Sequence, residues 1–103
     1  MKRRLIILDT TLREGEQAPG CAMQPHEKVA VAQLLEKLKV DVIEAGFAAS
    51  SRGDFLSIQA IAGVVKSTIV SSFCRAREED IDTAVDALKK AHQARLHVVF
   101  ATS

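Results

Sequence analysis

The chain has 103 residues, of which 48% are hydrophobic and 26% charged, and its formal net charge is +1. This balance is typical of an ordinary globular domain. The basic residues are dispersed, and the chain has no Trp or Tyr and only four Phe, so a basic stripe and an aromatic stacking platform for nucleic acid are both missing. We therefore expect a small-molecule partner and no nucleic acid.

The cysteines and the N-terminus bear on the compartment. Cys21 and Cys74 form no CxxC pair, which fits a reducing compartment, and we expect both to be small buried hydrophobes. The basic N-terminus precedes four apolar residues, but Asp9 ends this run far short of a signal peptide's apolar region. No run reaches the roughly 18 apolar residues of a membrane span. The sequence predicts a cytoplasmic protein without a membrane partner.

Four runs of aliphatic or β-branched residues predict strands. They are Leu5 to Leu8, Val40 to Ile43, Thr68 to Phe73 and Leu96 to Phe100. The first is expected to be a buried strand that ends in a loop of clustered charge, Asp9 to Gln17. We place the active site in this charged segment.

Three segments of helical period separate the four runs. The first helix should begin near Pro25, with Glu27 helping to cap its open amides. Each helix has an apolar stripe that we expect to be buried. The stripes are Val31, Leu34, Leu35 and Leu38, then Phe55, Ile58, Ile61, Ala62 and Val65, then Ile81, Ala84, Val85 and Leu88.

The order βαβαβαβ, with about 30 residues per unit, is typical of a parallel sheet with right-handed crossovers. The polar residues of interest follow the strands, on the face where a (β/α)8 barrel builds its active site. A whole barrel needs roughly 200 residues or more, and no helix follows the last predicted strand. The sequence therefore predicts an α/β fold, the N-terminal portion of a TIM (β/α)8 barrel with about three and a half units, from a larger enzyme.

Arg13 and Glu14 are the first candidate site residues. They could form a surface ion pair of little energetic value. Alternatively, Glu14 supplies a hard oxygen ligand to a divalent metal while Arg13 stabilises developing negative charge in the same pocket. Gly15 favours the second interpretation because glycine lets the backbone turn tightly beside a ligand.

Glu44 and His97 lie in or beside apolar strands. Burial of the Glu44 charge would be costly without a partner, and Arg13 or Gln17 could supply one if the first two strands are adjacent. The same carboxylate could instead form a structural salt bridge to a neighbouring loop. His97 is either a satisfied core residue or a hydrogen-bond donor to a substrate carboxylate.

The segment Asp9 to Gln17, with sequence DTTLREGEQ, resembles the signature of the synthases that condense acetyl-CoA with a 2-oxo acid. This family contains the 2-isopropylmalate, homocitrate and citramalate synthases. The resemblance covers nearly the whole chain and is closest to the bacterial 2-isopropylmalate synthases. It extends in order and spacing to Ile43–Phe47, Ser50–Phe55, Asp80–Asp82, Arg95–His97 and Ala101–Ser103.

The resemblance implies a role for each candidate residue. Glu14 stands where the family places its first metal ligand, and Arg13 where it places the arginine that polarises the 2-oxo group. Glu44 and Gln17 match polar positions that line the same pocket, and His97 matches a histidine near the oxo acid. Arg13 and Glu44 are thus expected to be catalytic, and Arg13, Gln17 and His97 to bind substrate.

The resemblance also implies a divalent metal, which can be Mg²⁺, Mn²⁺ or Zn²⁺ because one carboxylate accommodates all three. Acetyl-CoA is the implied co-substrate and a homodimer the implied state of the full-length enzyme. Family members take an HxH pair and an asparagine from later strands for the metal site. Residues 1–103 would then be the N-terminal fragment of a pyruvate-carboxyltransferase-like catalytic domain that lacks the remaining barrel and a regulatory domain.

Two positions point to different 2-oxo acids. Glu14 is more familiar in homocitrate synthases, because the isopropylmalate enzymes usually carry Asp there. Phe73 suits a branched aliphatic substrate, whereas lysine-pathway homocitrate synthases tend to have a histidine that meets a second carboxylate. We favour 3-methyl-2-oxobutanoate as substrate and leucine biosynthesis as pathway, and retain homocitrate and citramalate synthase as alternatives.

A hypothesis of another class is a truncated βα module without catalytic activity. Its open fourth strand would be an adhesive edge. On either hypothesis, we expect the 103-residue chain to have no synthase activity by itself.

Overall fold

The computed structural model describes residues 5–17 and 23–100, without the side chains of residues 15–17. Strands and helices alternate after an opening β-α-α segment. In chain order, the elements are β1 (Leu8–Asp9), α1 (Thr11–Gln17), α2 (Pro25–Lys37), β2 (Val42–Phe47), a 3₁₀ turn (Ala48–Ser50), α3 (Arg52–Val64), β3 (Ile69–Arg75), α4 (Glu78–Ala87) and β4 (Ala94–Val99).

The strands form one sheet in the order β1-β2-β3-β4, and every neighbouring pair is parallel. Sequential parallel strands joined by helices are the repeating unit of a (β/α)8 barrel. The prediction of an α/β fold from the N-terminal portion of such a barrel is therefore confirmed. All four strands direct their carboxyl ends to the same edge of the sheet. Arg13 and Glu14 follow the end of β1, whereas Glu44 and His97 lie within β2 and β4.

β1 is much shorter than predicted, and the expectation of a buried first strand is wrong. Leu5 is 85% exposed, and Ile6, Ile7 and Leu8 are exposed as well. The sheet order places β1 at an edge, paired on one side with β2. Apolar side chains on an edge strand are buried only when something covers them, so their hydrophobicity alone could not ensure burial.

The charged segment after β1 forms a helix, not the predicted loop. Asp9 Oδ1 accepts a hydrogen bond of 2.9 Å from the Thr11 backbone N–H, which satisfies an open amide at the start of α1. Leu12 is fully buried in the core. The cap and this single apolar anchor explain why a mainly polar segment becomes helical here.

β2 extends further than predicted and places Glu44 inside the strand, not at its end. The ladder with β3 pairs Glu44 with Ser71, then shifts register between Glu44 and Gly46. Gly46 has a φ of 154°, a value that glycine adopts readily because it lacks a Cβ. This irregularity lets the strand continue to Phe47 at the functional edge.

Two of the predicted helix stripes need correction. The stripe of α3 is confirmed, since Ile58, Ile61, Ala62 and Val65 are buried and Phe55 packs against the core. In the predicted first stripe, however, Leu34 and Leu38 are exposed, whereas Lys28, Ala32 and Leu35 of α2 are buried; in α4, Val85 is exposed. α2 packs against α3, and Ala32 belongs to the buried core. The helical period identifies an apolar stripe, but it does not determine which residues along the sides of that stripe a neighbouring helix covers.

The start of α2 is confirmed. Pro25 is in its first turn, and Glu27 Oε1 accepts a hydrogen bond of 2.9 Å from the Gln24 backbone N–H. Both longest helices, α2 and α3, have 13 residues. Within residues 5–17 and 23–100, no helix is long and apolar enough to cross a membrane.

Cys74 is a free, fully buried cysteine, as predicted. Burial raises the pKa of its thiol, and the nearby Asp80 charge acts in the same direction. The thiol is therefore a poor source of thiolate at neutral pH. Cys21 lies outside the described residues.

Candidate active site

Glu44 is the centre of the candidate site. Its side chain is fully buried, with Oε1 2.6 Å from Arg13 Nε and Oε2 3.0 Å from His97 Nδ1. One carboxylate thus bridges a residue of α1 and a residue of β4. Because a carboxylate accepts, Nδ1 carries the proton in the histidine contact, and Nε2 of a neutral ring is then an acceptor.

The fold explains how residues so distant in sequence meet. α1 follows β1 and packs against β2, which brings Arg13 to Glu44. Across the sheet, Glu44 lies in one row with Ser71 and Arg95, and His97 is two residues further along β4. Residues two apart on a strand share a face, so His97 faces the same side as this row.

The Arg13–Glu44 contact is an ion pair between partly desolvated groups. The Arg13 side chain is one-fifth exposed, and among the described residues neither Nε nor Oε1 has an aligned hydrogen-bond partner. The guanidinium carbon also lies 5.2 Å from the centroid of the Phe73 ring, a cation–π distance. The pair occupies the Nε side of the guanidinium, which has four further N–H donors for an anion.

Three aromatic side chains line the end of the sheet beside this pair. Phe47, Phe73 and His97 are register partners on β2, β3 and β4, and we call them the aromatic row. The Phe47 and Phe73 centroids are 5.0 Å apart with a 69° interplanar angle, and Phe73 and His97 are 5.6 Å apart at 78°. Such edge-to-face contacts fix ring orientation, so the row is an ordered surface next to Arg13 that is apolar at Phe47 and Phe73.

A second arginine, Arg75, lies at the other end of the aromatic row. Its guanidinium carbon is 5.6 Å from the Phe47 centroid, and Asp80 accepts hydrogen bonds from its Nε (2.8 Å), Nη2 (3.3 Å) and backbone N–H (3.1 Å). The hydrogen bond from the Arg75 side chain lowers the pKa of Asp80, and Asp80 raises the pKa of Arg75. Sequence analysis named Asp80 only within the resemblance block Asp80–Asp82 and missed this pair.

Glu14 and Gln17 are placed differently from Arg13. The exposed Glu14 side chain accepts a hydrogen bond of 2.8 Å from the Thr10 hydroxyl through Oε2. Gln17 is the last residue of α1, but its side chain lies outside the described residues. In the part of the chain that the structure describes, no group of three or more His, Cys, Asp or Glu could hold a metal ion.

A cavity of about 300 Å³ lies beside the Glu44–His97 contact, lined by Leu8, Ser71 and Arg95 among others. A larger pocket of about 600 Å³, which includes Glu36, is at the opposite end of the strands. Size alone favours the larger pocket. The smaller cavity is the better candidate because its lining includes the buried Glu44 carboxylate, which contacts both Arg13 and His97.

Residues 4–103 match the model of the family described as HMGL-like. The chain belongs to the HMGL-like family. Family members have the TIM-barrel fold, in agreement with the parallel sheet. The stated resemblance to the 2-isopropylmalate synthase family is also confirmed by individual relatives.

Over all 103 residues, this HMGL-like chain is 57% identical to a 2-isopropylmalate synthase of Burkholderia cenocepacia (strain HI2424). It is 58% identical to that of Acidovorax ebreus (strain TPSY) and 53% identical to that of Vesicomyosocius okutanii. The chain spans 20% of the length of each of these relatives.

Proposed function

We propose that these residues belong to a 2-isopropylmalate synthase, which condenses acetyl-CoA with 3-methyl-2-oxobutanoate to give 2-isopropylmalate and CoA. The observation that carries the proposal is the placement of Arg13, which is tied to buried Glu44 and lies over Phe73. This arrangement offers a fixed cation for the charged end of a 2-oxo acid and an apolar surface for its side chain.

Residues 1–103 would be the N-terminal fragment of the catalytic barrel, with the remaining barrel and a regulatory domain outside this sequence. The 20% coverage of the relatives supports this domain assignment. So do the exposed apolar side chains of Leu5, Ile6 and Ile7 at the sheet edge, because further strands would bury them.

Glu14 fits one position of a divalent-metal site. Its carboxylate is a hard oxygen donor, it is exposed, and the Thr10 hydroxyl orients it through Oε2. The residues described here contain no complete ligand set, so the other ligands must come from elsewhere. When bound, a divalent ion such as Mg²⁺, Mn²⁺ or Zn²⁺ would act as a Lewis acid toward the 2-oxo acid.

Arg13 is the proposed catalytic group for charge stabilisation. As the methyl carbon of acetyl-CoA bonds to the 2-oxo carbon, the former carbonyl oxygen gains negative charge, which N–H donors of Arg13 stabilise. Glu44 holds Arg13 in position, so little reorganisation is needed during the reaction. No described residue is an evident base for the acetyl methyl proton. Thioester hydrolysis then releases CoA.

His97 and Gln17 are the proposed substrate-binding partners of Arg13. Nearly half of the His97 side chain is exposed, so the ring can contact a ligand while Nδ1 remains on Glu44. Protonation of Nε2 would let it donate a hydrogen bond to the substrate carboxylate. Gln17 follows Arg13 by about one helical turn on α1, which supports a place on the same side of the helix.

Phe73 supports the choice of a branched aliphatic substrate. The ring belongs to the aromatic row and contacts both the Arg13 guanidinium and the His97 ring. A second substrate carboxylate placed against this apolar surface would lose hydration without gaining a partner. Glu14 instead favours homocitrate synthase, which remains the second candidate, since its longer side chain departs from the Asp usual in isopropylmalate enzymes.

The proposed setting is the cytoplasm, with small-molecule substrates and neither nucleic acid nor membrane as partner. The free, buried Cys74 supports a reducing compartment. A homodimer is the proposed state of the full-length enzyme, on the resemblance to the synthase family.

Substrate profiling tests the proposal. The full-length protein should release CoA from acetyl-CoA with 3-methyl-2-oxobutanoate, more efficiently than with 2-oxoglutarate or pyruvate. Preference for 2-oxoglutarate would establish homocitrate synthase, and preference for pyruvate citramalate synthase. The purified 103-residue chain should show no turnover, and activity there would contradict the proposed fragment. A full-length protein inactive with all three acids and added metals would favour the non-catalytic module.

A further inference from the structure

The Arg75–Asp80 pair joins the end of β3 to the start of α4 and lies outside the Arg13–Glu44–His97 cluster. Asp80 is only 4% exposed, and it receives three N–H groups of one residue. Half of the Arg75 side chain is exposed, however. An arginine with this much access to solvent is ordinarily free to change rotamer. Here two side-chain contacts and one backbone contact to the same carboxylate fix its orientation.

The fixed guanidinium lies over Phe47, and Phe47 contacts Phe73 edge to face. Phe47 is the last residue of β2 and follows the register shift at Gly46. The ring is therefore at the margin of the sheet, where the ladder with β3 still pairs Phe47 with Phe73 but no later residue of β2 follows it. Asp54 Oδ2 accepts from the Phe47 backbone N–H at 3.4 Å, but this contact does not set the ring's orientation. Arg75 on one side and Phe73 on the other do so.

We propose that Arg75, held by Asp80, is a positioning residue that fixes the Phe47 ring and so sets the width of the apolar subsite for the side chain of the 2-oxo acid. This inference rests on the proposed synthase function. It adds Phe47 to Phe73 as a residue that determines substrate specificity. The Arg75–Asp80 pair would fix the position of the Phe47 ring without touching the substrate.

The apolar subsite would discriminate between 2-oxo acids by packing. An apolar pocket distinguishes aliphatic side chains through close contact, which a mobile wall provides poorly. Loss of the Asp80 charge would release the exposed guanidinium into water and leave the Phe47 face without its partner. Binding of a branched side chain that fills the subsite should weaken more than binding of pyruvate, which has only a single methyl group. Chemistry at Arg13 should change little.

The test compares D80N and R75K with D86N in the full-length protein. R75K keeps the positive charge but loses the planar fork. D86N is the matched control, because Asp86 is on the same helix and forms an exposed contact of 3.7 Å with Lys89. We measure kcat and KM with 3-methyl-2-oxobutanoate and with pyruvate, and the KM for acetyl-CoA.

For D80N and R75K we expect KM for 3-methyl-2-oxobutanoate to rise about tenfold, with kcat and the KM for acetyl-CoA nearly unchanged. The ratio of kcat/KM between the branched acid and pyruvate should fall accordingly, and D86N should match the wild type. A purely structural pair would lower activity with both acids equally, so an unchanged ratio overturns the inference. If D80N does not fold, the ratio of kcat/KM between the branched acid and pyruvate in R75K decides whether the inference holds. Inactivity of the wild type would instead contradict the proposed function itself.

Discussion

Glu44 Oε1 lies 2.6 Å from Arg13 Nε although the Glu44 side chain is fully buried. Its other oxygen contacts His97 Nδ1 at 3.0 Å. A buried carboxylate without partners would be strongly unfavourable, and here a cation and a ring N–H meet its two oxygens. Removal of any member therefore changes the surroundings of the other two.

E44Q should impair catalysis more than folding. The amide is nearly isosteric but cannot offset the Arg13 charge, so the guanidinium loses its fixed position. We expect kcat/KM in the full-length protein to fall about 100-fold, and the free energy of unfolding to fall by about 1–3 kcal/mol. Steady-state kinetics and urea unfolding measure the two effects.

The control for E44Q is E78Q, which removes an exposed carboxylate at the start of α4. It should leave kcat/KM unchanged. Wild-type kinetics in E44Q would show that Arg13 does not depend on Glu44 for its position.

E14A should abolish metal-dependent turnover in the full-length protein, because the substitution removes a proposed oxygen ligand. E14D retains a carboxylate and should retain turnover. Calorimetric titration with Mn²⁺ provides a readout independent of activity, and E14A should bind the ion far more weakly than E14D. Equal Mn²⁺ affinity and activity in E14A and the wild type would contradict the metal assignment.

F73H should shift the preference among 2-oxo acids toward 2-oxoglutarate. The imidazole can meet a distal carboxylate that the phenyl ring would leave unpaired. We expect the ratio of kcat/KM for 2-oxoglutarate to that for 3-methyl-2-oxobutanoate to rise at least about tenfold. F73L keeps the site apolar and serves as the control, with the wild-type preference. If F73H and F73L behave alike, Phe73 does not face the substrate side chain.

E36Q should lower stability in a pH-dependent manner. Glu36 Oε2 accepts from the backbone N–H groups of Lys66 (2.8 Å), Ser67 (2.7 Å) and Thr68 (3.3 Å) and from the Ser67 hydroxyl (3.0 Å). These hydrogen bonds, led by the Ser67 N–H, lower the pKa of Glu36. Its stabilising contribution is therefore complete above the unfolded-state pKa and is lost as pH falls through the folded-state pKa.

We expect E36Q to reduce the free energy of unfolding by about 1 kcal/mol at neutral pH. The difference from the wild type should narrow as the pH falls through the lowered folded-state pKa of Glu36. Denaturant unfolding across this range measures both, and a difference that stays constant with pH would contradict an ionic role. E27Q at the start of α2 is a useful comparison, since it removes a carboxylate that caps a single N–H.

Much of the fold followed from local patterns in the sequence. The last three apolar runs overlap β2, β3 and β4, and the first shares only Leu8 with β1; the start of α2 at Pro25 and the buried stripe of α3 were predicted correctly. The errors have a shared physical origin. Leu5 and Leu34 are exposed, and the Arg13 segment is helical. Both outcomes depend on which neighbouring elements cover each side chain. Hydrophobic periodicity does not encode those neighbours.

By itself, the sequence determined the parallel α/β architecture and brought Arg13, Glu44 and His97 into consideration, because residue type and period act locally along the chain. Only the tertiary structure decided that one buried carboxylate joins Arg13 to His97, and that Arg75 and Asp80 hold the Phe47 ring. These contacts depend on strand register and on the course of α1 and α4 across the sheet. Such distances between remote segments arise only when the whole core packs.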